Sequence, residues 1–276
     1  MNKPVLDADD FRLFQDYIYS FYSQYGRHDM PWRLTDNPYY IFISEVMLQQ
    51  TQVDRVWNKY TEFIKRFPDV ESLASVSLKE VMPYWQGLGY NRRALYLHQS
   101  AQRIMDEFNG RIPSTVDELQ SLPGIGCATA SSICAFAYNS PIVFIETNIR
   151  SVYIHFFFND SQCVHDGVLR PFIEKTLDRA NPRGWYYALM DYGAALKKSV
   201  GNPGRRSVHY TRQTPFEGSL RQVRGSIIRY LTENGTISYK DIYINVCSSR
   251  ETIDSVLKQL EKEGFIVVTD KTLSLA

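Results

Sequence analysis

The sequence predicts a mainly α protein with a small C-terminal α+β module. Three observations carry that expectation. From Asp9 to Lys198, one segment after another sets its apolar residues at helical spacing. Between two of those segments lies Leu122-Pro123-Gly124-Ile125-Gly126-Cys127-Ala128-Thr129-Ala130, where two glycines behind a proline let the backbone turn tightly. From Ser219 the pattern changes to three helix-like segments followed by two short β-like runs, the order of a winged helix.

At 276 residues the chain has room for two domains, or one large domain with an appendage. A hydrophobic content of 44% is enough for a sizeable core. The net charge of +1 does not announce a polyanion partner, so any nucleic-acid surface must come from local clustering. The 19 tyrosines suit base stacking and core packing equally well. Cys127, Cys134, Cys163 and Cys247 are scattered, with no C-x2-C pair, which predicts a reduced framework without structural zinc. There is no apolar signal core and no apolar run of about 18 residues, so the expectation is a soluble, cytoplasmic protein that does not meet membrane. No coiled-coil seam or large apolar stripe is left over, which predicts a monomer.

In chain order, Asp9 to Tyr25 reads as a helix rich in aromatics (Phe11, Phe14, Ile18, Phe21, Tyr22, Tyr25). Asn37-Pro38 precedes a second helix, Tyr39 to Gln52, in which Glu45 is flanked by hydrophobic residues. Helices follow over Val53 to Phe67 and Leu78 to Trp85. Gly87-Leu88-Gly89-Tyr90 is a tight turn into a helix from Asn91 to Phe108 that opens with Arg92-Arg93. Ser114 to Leu119 carries a hydroxyl and then acids, the signature of a capped short helix. After the Gly-x-Gly turn comes the small-residue helix Ala128 to Tyr138. Glu146 or Thr147 opens a helix through Phe157, and Val168 to Asn181 and Trp185 to Lys198 complete the set. A basic stretch (Lys197, Lys198, Arg205, Arg206, His209, Arg212) without hydrophobic periodicity reads as loop and linker ending near Gly218. Leu220 to Asn234, Tyr239 to Val246 and the segment from Ser248 to Gly264 are helices. Phe265 to Val268 and Thr272 to Leu275 are strands.

Two readings of the Leu122–Ala130 stretch stand side by side. It is a turn joining two core helices, or it is a clamp on a nucleic-acid backbone. In the second case Gly124 and Gly126 allow close approach, and the N-terminus of the helix holding Thr129 attracts a phosphate.

Five motifs occur in one order: Pro31-Trp32; Ser44-Glu45-Val46-Met47-Leu48-Gln49-Gln50-Thr51-Gln52-Val53; Gly87-Leu88-Gly89-Tyr90; Leu122-Pro123-Gly124-Ile125-Gly126; and Met190-Asp191-Tyr192-Gly193-Ala194. Over roughly residues 25 to 200 the chain resembles the helix-hairpin-helix DNA glycosylases of the endonuclease III superfamily, and within it the MutY-type adenine glycosylase catalytic domain. The resemblance implies a two-lobed helical glycosylase fold over residues 1–200, with its hairpin at 115–138. A basic loop or linker over 201–218 and a winged-helix-like module over 219–276 follow. It also implies base excision repair: a mispaired or damaged base in double-stranded DNA is rotated out of the duplex, at roughly a few kcal/mol, and its N-glycosidic bond is hydrolysed.

Residue by residue, the resemblance makes Glu45 the acid that protonates the departing adenine. It places Gln49 and Gln50 in the duplex beside the vacated position and makes Tyr90 a wedge on the opposite-base side. Leu122, Gly124, Gly126 and Thr129 fall in the phosphate clamp. Asn148 becomes an amide that holds the catalytic carboxylate. Glu146 falls where the family carries an aspartate that stabilises positive charge on the sugar. It is one methylene longer, so the charge is kept and the reach changes.

Three further departures shape the expectation. Ala128 stands where bifunctional members carry a lysine nucleophile, which implies a monofunctional enzyme that leaves an abasic site. The stretch after Gly193 lacks the four cysteines of the family's [4Fe–4S] cluster, so no iron–sulfur cofactor is expected. Lys197, Lys198, Arg205 and Arg206 occupy that region and can meet phosphates. A winged helix replaces the Nudix-like domain that reads 8-oxoguanine. Two alternatives therefore accompany the adenine reading: a G:T or G:U mismatch glycosylase of the same fold, and a DNA-binding protein impaired in catalysis.

Overall fold

The computed structural model describes residues 8–212 and 215–276. Among these, fourteen α-helices and a three-stranded sheet make up the regular structure. The helices of the main body are α1 (Ala8–Tyr25), α2 (Pro38–Leu48), α3 (Val53–Arg66), α4 (Val70–Ala74), α5 (Leu78–Trp85), α6 (Arg92–Phe108), α7 (Val116–Ser121), α8 (Cys127–Tyr138), α9 (Thr147–Phe157), α10 (Asp166–Thr176) and α11 (Pro182–Ser199). The C-terminal part adds α12 (Leu220–Asn234), β1 (Ile237–Ser238), α13 (Tyr239–Asn245), α14 (Arg250–Lys262), β2 (Ile266–Val268) and β3 (Thr272–Leu275). The chain divides into two compact units, each discontinuous in sequence. One comprises Met1–Ile41, Ser114–Gln120 and Gly126–Arg212; the other comprises Phe42–Pro113, Ser121–Ile125 and Gln213–Ala276.

In the first unit the aromatic stripe of α1 finds its partners on α9 and α11. Phe14 sits edge-on to Tyr153, Phe157 and Trp185. α9 and α11 pack directly on one another. Gly193 permits that approach, because a Cβ there would lie 2.7 Å from the Asn148 carbonyl oxygen. α10 ends at Thr176, short of the expected Asn181. Leu177 turns extended, and the Asp178 carboxylate accepts the N–H groups of Ala180 and Asn181 at 3.0 and 3.1 Å. This aspartate turn competes with the helix and delivers Pro182 as the first residue of α11. The basic stretch after α11 begins as packed structure. Pro203–Arg206 forms a 3-10 turn against α9, with Pro203 and Gly204 buried. Its Arg206 carbonyl accepts from Val164 N–H at 2.8 Å, and the Arg206 guanidinium donates to the Phe158 carbonyl at 3.2 Å.

In the second unit α6 packs on α4 and α5, and Phe63, Phe67 and Trp85 form a buried aromatic core. α4 is too short for helical periodicity to reveal. It is nucleated by a reciprocal cap, the Asp69 carboxylate accepting Ser72 N–H at 2.8 Å while the Ser72 hydroxyl accepts Asp69 N–H at 3.3 Å. The C-terminal α+β module forms the three helices and two strands that its sequence pattern predicts, with the short β1 in addition. β2 and β3 pair antiparallel, β1 joins β3, and the sheet order is β1-β3-β2. Val223, Ile227, Ile253, Leu257, Leu260, Phe265 and Leu273 make its core. α12 also packs on α5, and Glu263, at the end of α14, accepts from both Arg92 of α6 and Arg224 of α12.

Candidate active site and nucleic-acid interface

Glu146 is the N-cap of α9, a place where short polar side chains are usual. Its extra methylene lets the side chain fold back over the helix end. Oε1 accepts the N–H groups of Asn148 and Ile149 at 2.6 and 2.8 Å, and Oε2 accepts from the Asn148 side-chain amide at 3.3 Å. One oxygen is thus fully engaged, while the other has a single long partner. The Asn148 Oδ1 in turn accepts from Lys197 Nζ of α11 at 2.8 Å. Burial pushes the Glu146 carboxyl above its ordinary range, opposed by the two backbone donors and by the charges of Lys197 and Arg150. Burial likewise pulls Lys197 below the ordinary lysine range, opposed by Glu146. Arg150, on the same helix, is paired through both ends of its fork with Asp166 of α10 at 2.7 Å.

The second unit gathers a different set. Glu45 lies half-buried on α2 among the buried residues Ser44, Val46 and Met47. α2 stops at Leu48 rather than continuing to Gln52 as its sequence predicts. The cause is Arg93, whose guanidinium takes the Val46 and Met47 carbonyls at 2.9 and 2.7 Å, the Thr51 hydroxyl at 2.9 Å, and the Leu88 and Gly89 carbonyls at 3.3 and 3.0 Å. One cation closes the end of α2 and grips two turns at once. Those turns carry Gln50 at φ 54° and Tyr90 at φ 48°, left-handed conformations that non-glycine residues avoid. Such outliers persist where the surroundings over-determine them. Tyr90 is 36% exposed, and its hydroxyl accepts from Arg221 of α12 at 3.1 Å. Arg93 was not among the residues singled out from sequence. Its signal was present, since two arginines at a helix N-terminus oppose the helix dipole and need another reason to be there.

The Gly-x-Gly turn is anchored from α6. The Ser100 hydroxyl donates to the Pro123 carbonyl at 3.2 Å, and Arg103 donates to the Ser121 carbonyl. Gly124 has φ +74°, and a Cβ on it would stand 2.7 Å from the Tyr96 ring, so glycine is required twice over. The Gln49 side-chain amide donates to the Gly124 carbonyl at 3.4 Å. Leu122 is buried at 2% exposure and anchors the turn from inside, whereas Gly124, Gly126 and Ala128 are exposed. Gly126 caps α8 with no side chain, and Thr129 lies in its first turn. Of the basic residues, Lys198 and Arg205 are exposed, Arg206 is half-buried on the Phe158 carbonyl, and Lys197 faces Asn148.

Among the described residues no group of His, Cys, Asp and Glu is placed to hold a metal ion, and no helix is long and apolar enough to cross a membrane. The segment following α11 does not fit an iron–sulfur cluster, because it offers no cysteine and is held in place by direct packing on α9.

The family model for HhH-GPD superfamily base excision DNA repair proteins matches residues 43–174. An adenine DNA glycosylase of Mycolicibacterium smegmatis is 31% identical over 279 aligned residues, covering 91% of this chain and 92% of that protein. The adenine DNA glycosylase of Buchnera aphidicola subsp. Baizongia pistaciae is 35% identical over 67% of this chain, which spans 53% of that relative's length. A solved thermostable thymine-DNA glycosylase superposes with a TM-score of 0.59 at 25% identity, covering 68% of this chain and 88% of that one. The chain belongs to the HhH-GPD superfamily of base excision DNA repair proteins. Within that superfamily it is close to the MutY-type adenine glycosylases.

Proposed function

We propose that the chain is a monofunctional DNA N-glycosylase that extrudes a mispaired adenine from duplex DNA and hydrolyses its N-glycosidic bond. The observation that carries this reading is Glu146. Its Oε1 is locked by two backbone N–H groups, which leaves Oε2 as the oxygen with capacity to face a developing oxocarbenium ion. An aspartate would reach the sugar from its own short arm; here the longer side chain is folded back over the α9 terminus, which offsets part of the extra methylene. Glu45 supplies the proton that makes adenine a neutral leaving group. Tyr90 and Gln50, held in left-handed turns by Arg93, enter the duplex, where rigid wedges offset the cost of unstacking. The exposed hairpin at Gly124 and Gly126 and the first turn of α8 bind phosphate without reading sequence.

Ala128 gives no amine to attack the sugar, so the product is an abasic site. The enzyme works as a monomer without an iron–sulfur cluster. Single-turnover excision tests the reading, on duplexes with adenine opposite 8-oxoguanine, adenine opposite guanine, and thymine or uracil opposite guanine. Alkali reveals abasic sites, and Glu45→Gln and Glu146→Gln are run in parallel. Adenine release lost in both variants is the expected result. Release of thymine or uracil instead would move the pocket to the second base class, in line with the thymine-DNA glycosylase likeness. Salt-sensitive binding with no excision on any duplex would leave a DNA-binding protein without chemistry.

A further inference from the structure

We propose that Lys197 is a positioning residue of the glycosylase site: its ammonium fixes the Asn148 amide and serves as the counter-charge that keeps Glu146 a carboxylate. The inference rests on the reading of Glu146 given above and extends it to a residue of α11.

The geometry forms a chain. Lys197 Nζ donates to Asn148 Oδ1 at 2.8 Å, which fixes the orientation of that amide, because the oxygen must face the lysine. The Nδ2 then points the other way and donates to Glu146 Oε2 at 3.3 Å, the oxygen left over once Oε1 has taken two backbone donors. A lysine with three donors and no acceptor permits only this orientation. Lys197 is half-buried rather than extended into solvent as its neighbour Lys198 is. Gly193, one turn earlier on α11, lets the helix ride close enough on Asn148 for the reach.

The charges facing the site define what Lys197 does. From α9 itself comes Arg150, but its fork is occupied by Asp166 of α10, which also lies 3.9 Å from His209. From the turn after α11, Arg206 is bound to the Phe158 carbonyl. On α11, Asp191 is committed to Arg27 and Arg33. Lys197 is therefore the cation from α11 whose hydrogen bond leads into the Glu146–Asn148 pair. Burial works against the charge of Glu146 and of Lys197 alike, and each favours the charge of the other.

The test is a titration of the Glu146 carboxyl carbon in free protein labelled with 13C-glutamate, with the resonance assigned by Glu146→Gln. In Lys197→Met the midpoint should rise by about one unit, and Lys197→Arg should restore most of it. In parallel, single-turnover excision by Lys197→Met should fall by up to about tenfold at the acid end of the pH profile, with the deficit shrinking as pH rises and Glu146 ionises in the variant as well. The alkaline limb that reflects loss of the Lys197 charge should disappear in Lys197→Arg. An unchanged Glu146 midpoint in Lys197→Met overturns the proposal, as does an arginine variant that behaves like methionine. Borohydride trapping of wild-type enzyme on DNA, lost in Lys197→Arg, overturns it too, since Lys197 would then be a nucleophile. Because the titration needs no substrate, an enzyme that excises no base removes the glycosylase reading while the carboxyl midpoint still decides the role of Lys197.

Discussion

Two buried guanidinium groups, one in each unit, are stabilised in opposite ways. Arg33 lies at 5% side-chain exposure against Asp191 at 2%, with Arg27 on the same carboxylate and the Tyr187 ring 4.3 Å beneath. Burial alone would lower Arg33, but the bonded carboxylate outweighs it and raises the guanidinium above its ordinary value. The hydrogen bonds of Arg93 go to carbonyl and hydroxyl oxygens, with the Trp85 and Tyr90 rings 5.4 and 5.7 Å away, and burial pulls it down to about 10. In both arginines the buried Nε has no hydrogen-bond partner. A carboxylate ties two remote segments with full charges, giving rigidity between α11 and the loop after α1. A cage of oxygens holds turns whose own backbone is strained, and the oxygens come from the end of α2 and from the turns themselves. The first arrangement serves the fold; the second sets the conformation of Gln50 and Tyr90.

The largest expected break in that comparison is Asp191→Asn. It leaves two cations on one uncharged amide, and urea unfolding should show a loss of about 3–5 kcal/mol. The folded-state pKa of Asp191 is depressed, chiefly by Arg33 acting against desolvation. Its contribution is therefore fully present above the unfolded aspartate range and is lost as pH falls through the folded value. The gap between wild type and variant should be constant above about pH 5 and close in acid. Next comes Arg93→Lys, which keeps the charge but loses the fork. A loss of about 2 kcal/mol is expected, with faster amide exchange at residues 49–51 and 87–91. A similar loss without local exchange would show that the cage does not hold the turns.

Gln50→Gly sharpens the point by changing sign. It relieves a left-handed non-glycine residue and should stabilise the protein by up to about 1 kcal/mol, while single-turnover excision falls. If excision rises with stability, the strained side chain has no part in the reaction. The smallest effect belongs to Arg92→Ala. Arg92 is 45% exposed, and Glu263 keeps Arg224, so thermal unfolding should move by no more than about 0.5 kcal/mol.

Most helices were legible because their apolar residues recur at the helical period, and α5 and α12 match their expected limits. Where the reading failed, a long-range or purely local bond overrode periodicity. α2 is cut short by a cation 46 residues away from Met47. α10 is cut short by the Asp178 turn, and α4 was invisible because a single capped turn has no period to detect. Of the candidate residues, Glu45, Tyr90 and the hairpin glycines could be named from their motifs, and Glu146 and Asn148 from the family resemblance. Lys197 was visible only as one member of a basic run, with nothing in the run to separate it from Lys198.

What the sequence determined by itself was chemical identity and local geometry: which groups carry charge, where glycine frees the backbone, that Ala128 bears no nucleophile and that the segment after Gly193 has no thiolates. Tertiary structure decided which charges meet. Lys197 reaches Asn148 across 49 residues and Asp191 reaches Arg33 across 158. Periodicity reports which face of a helix is buried, but not which polar group lies opposite. That choice is fixed when helices pack, because a buried charge must find its partner among the groups brought to it.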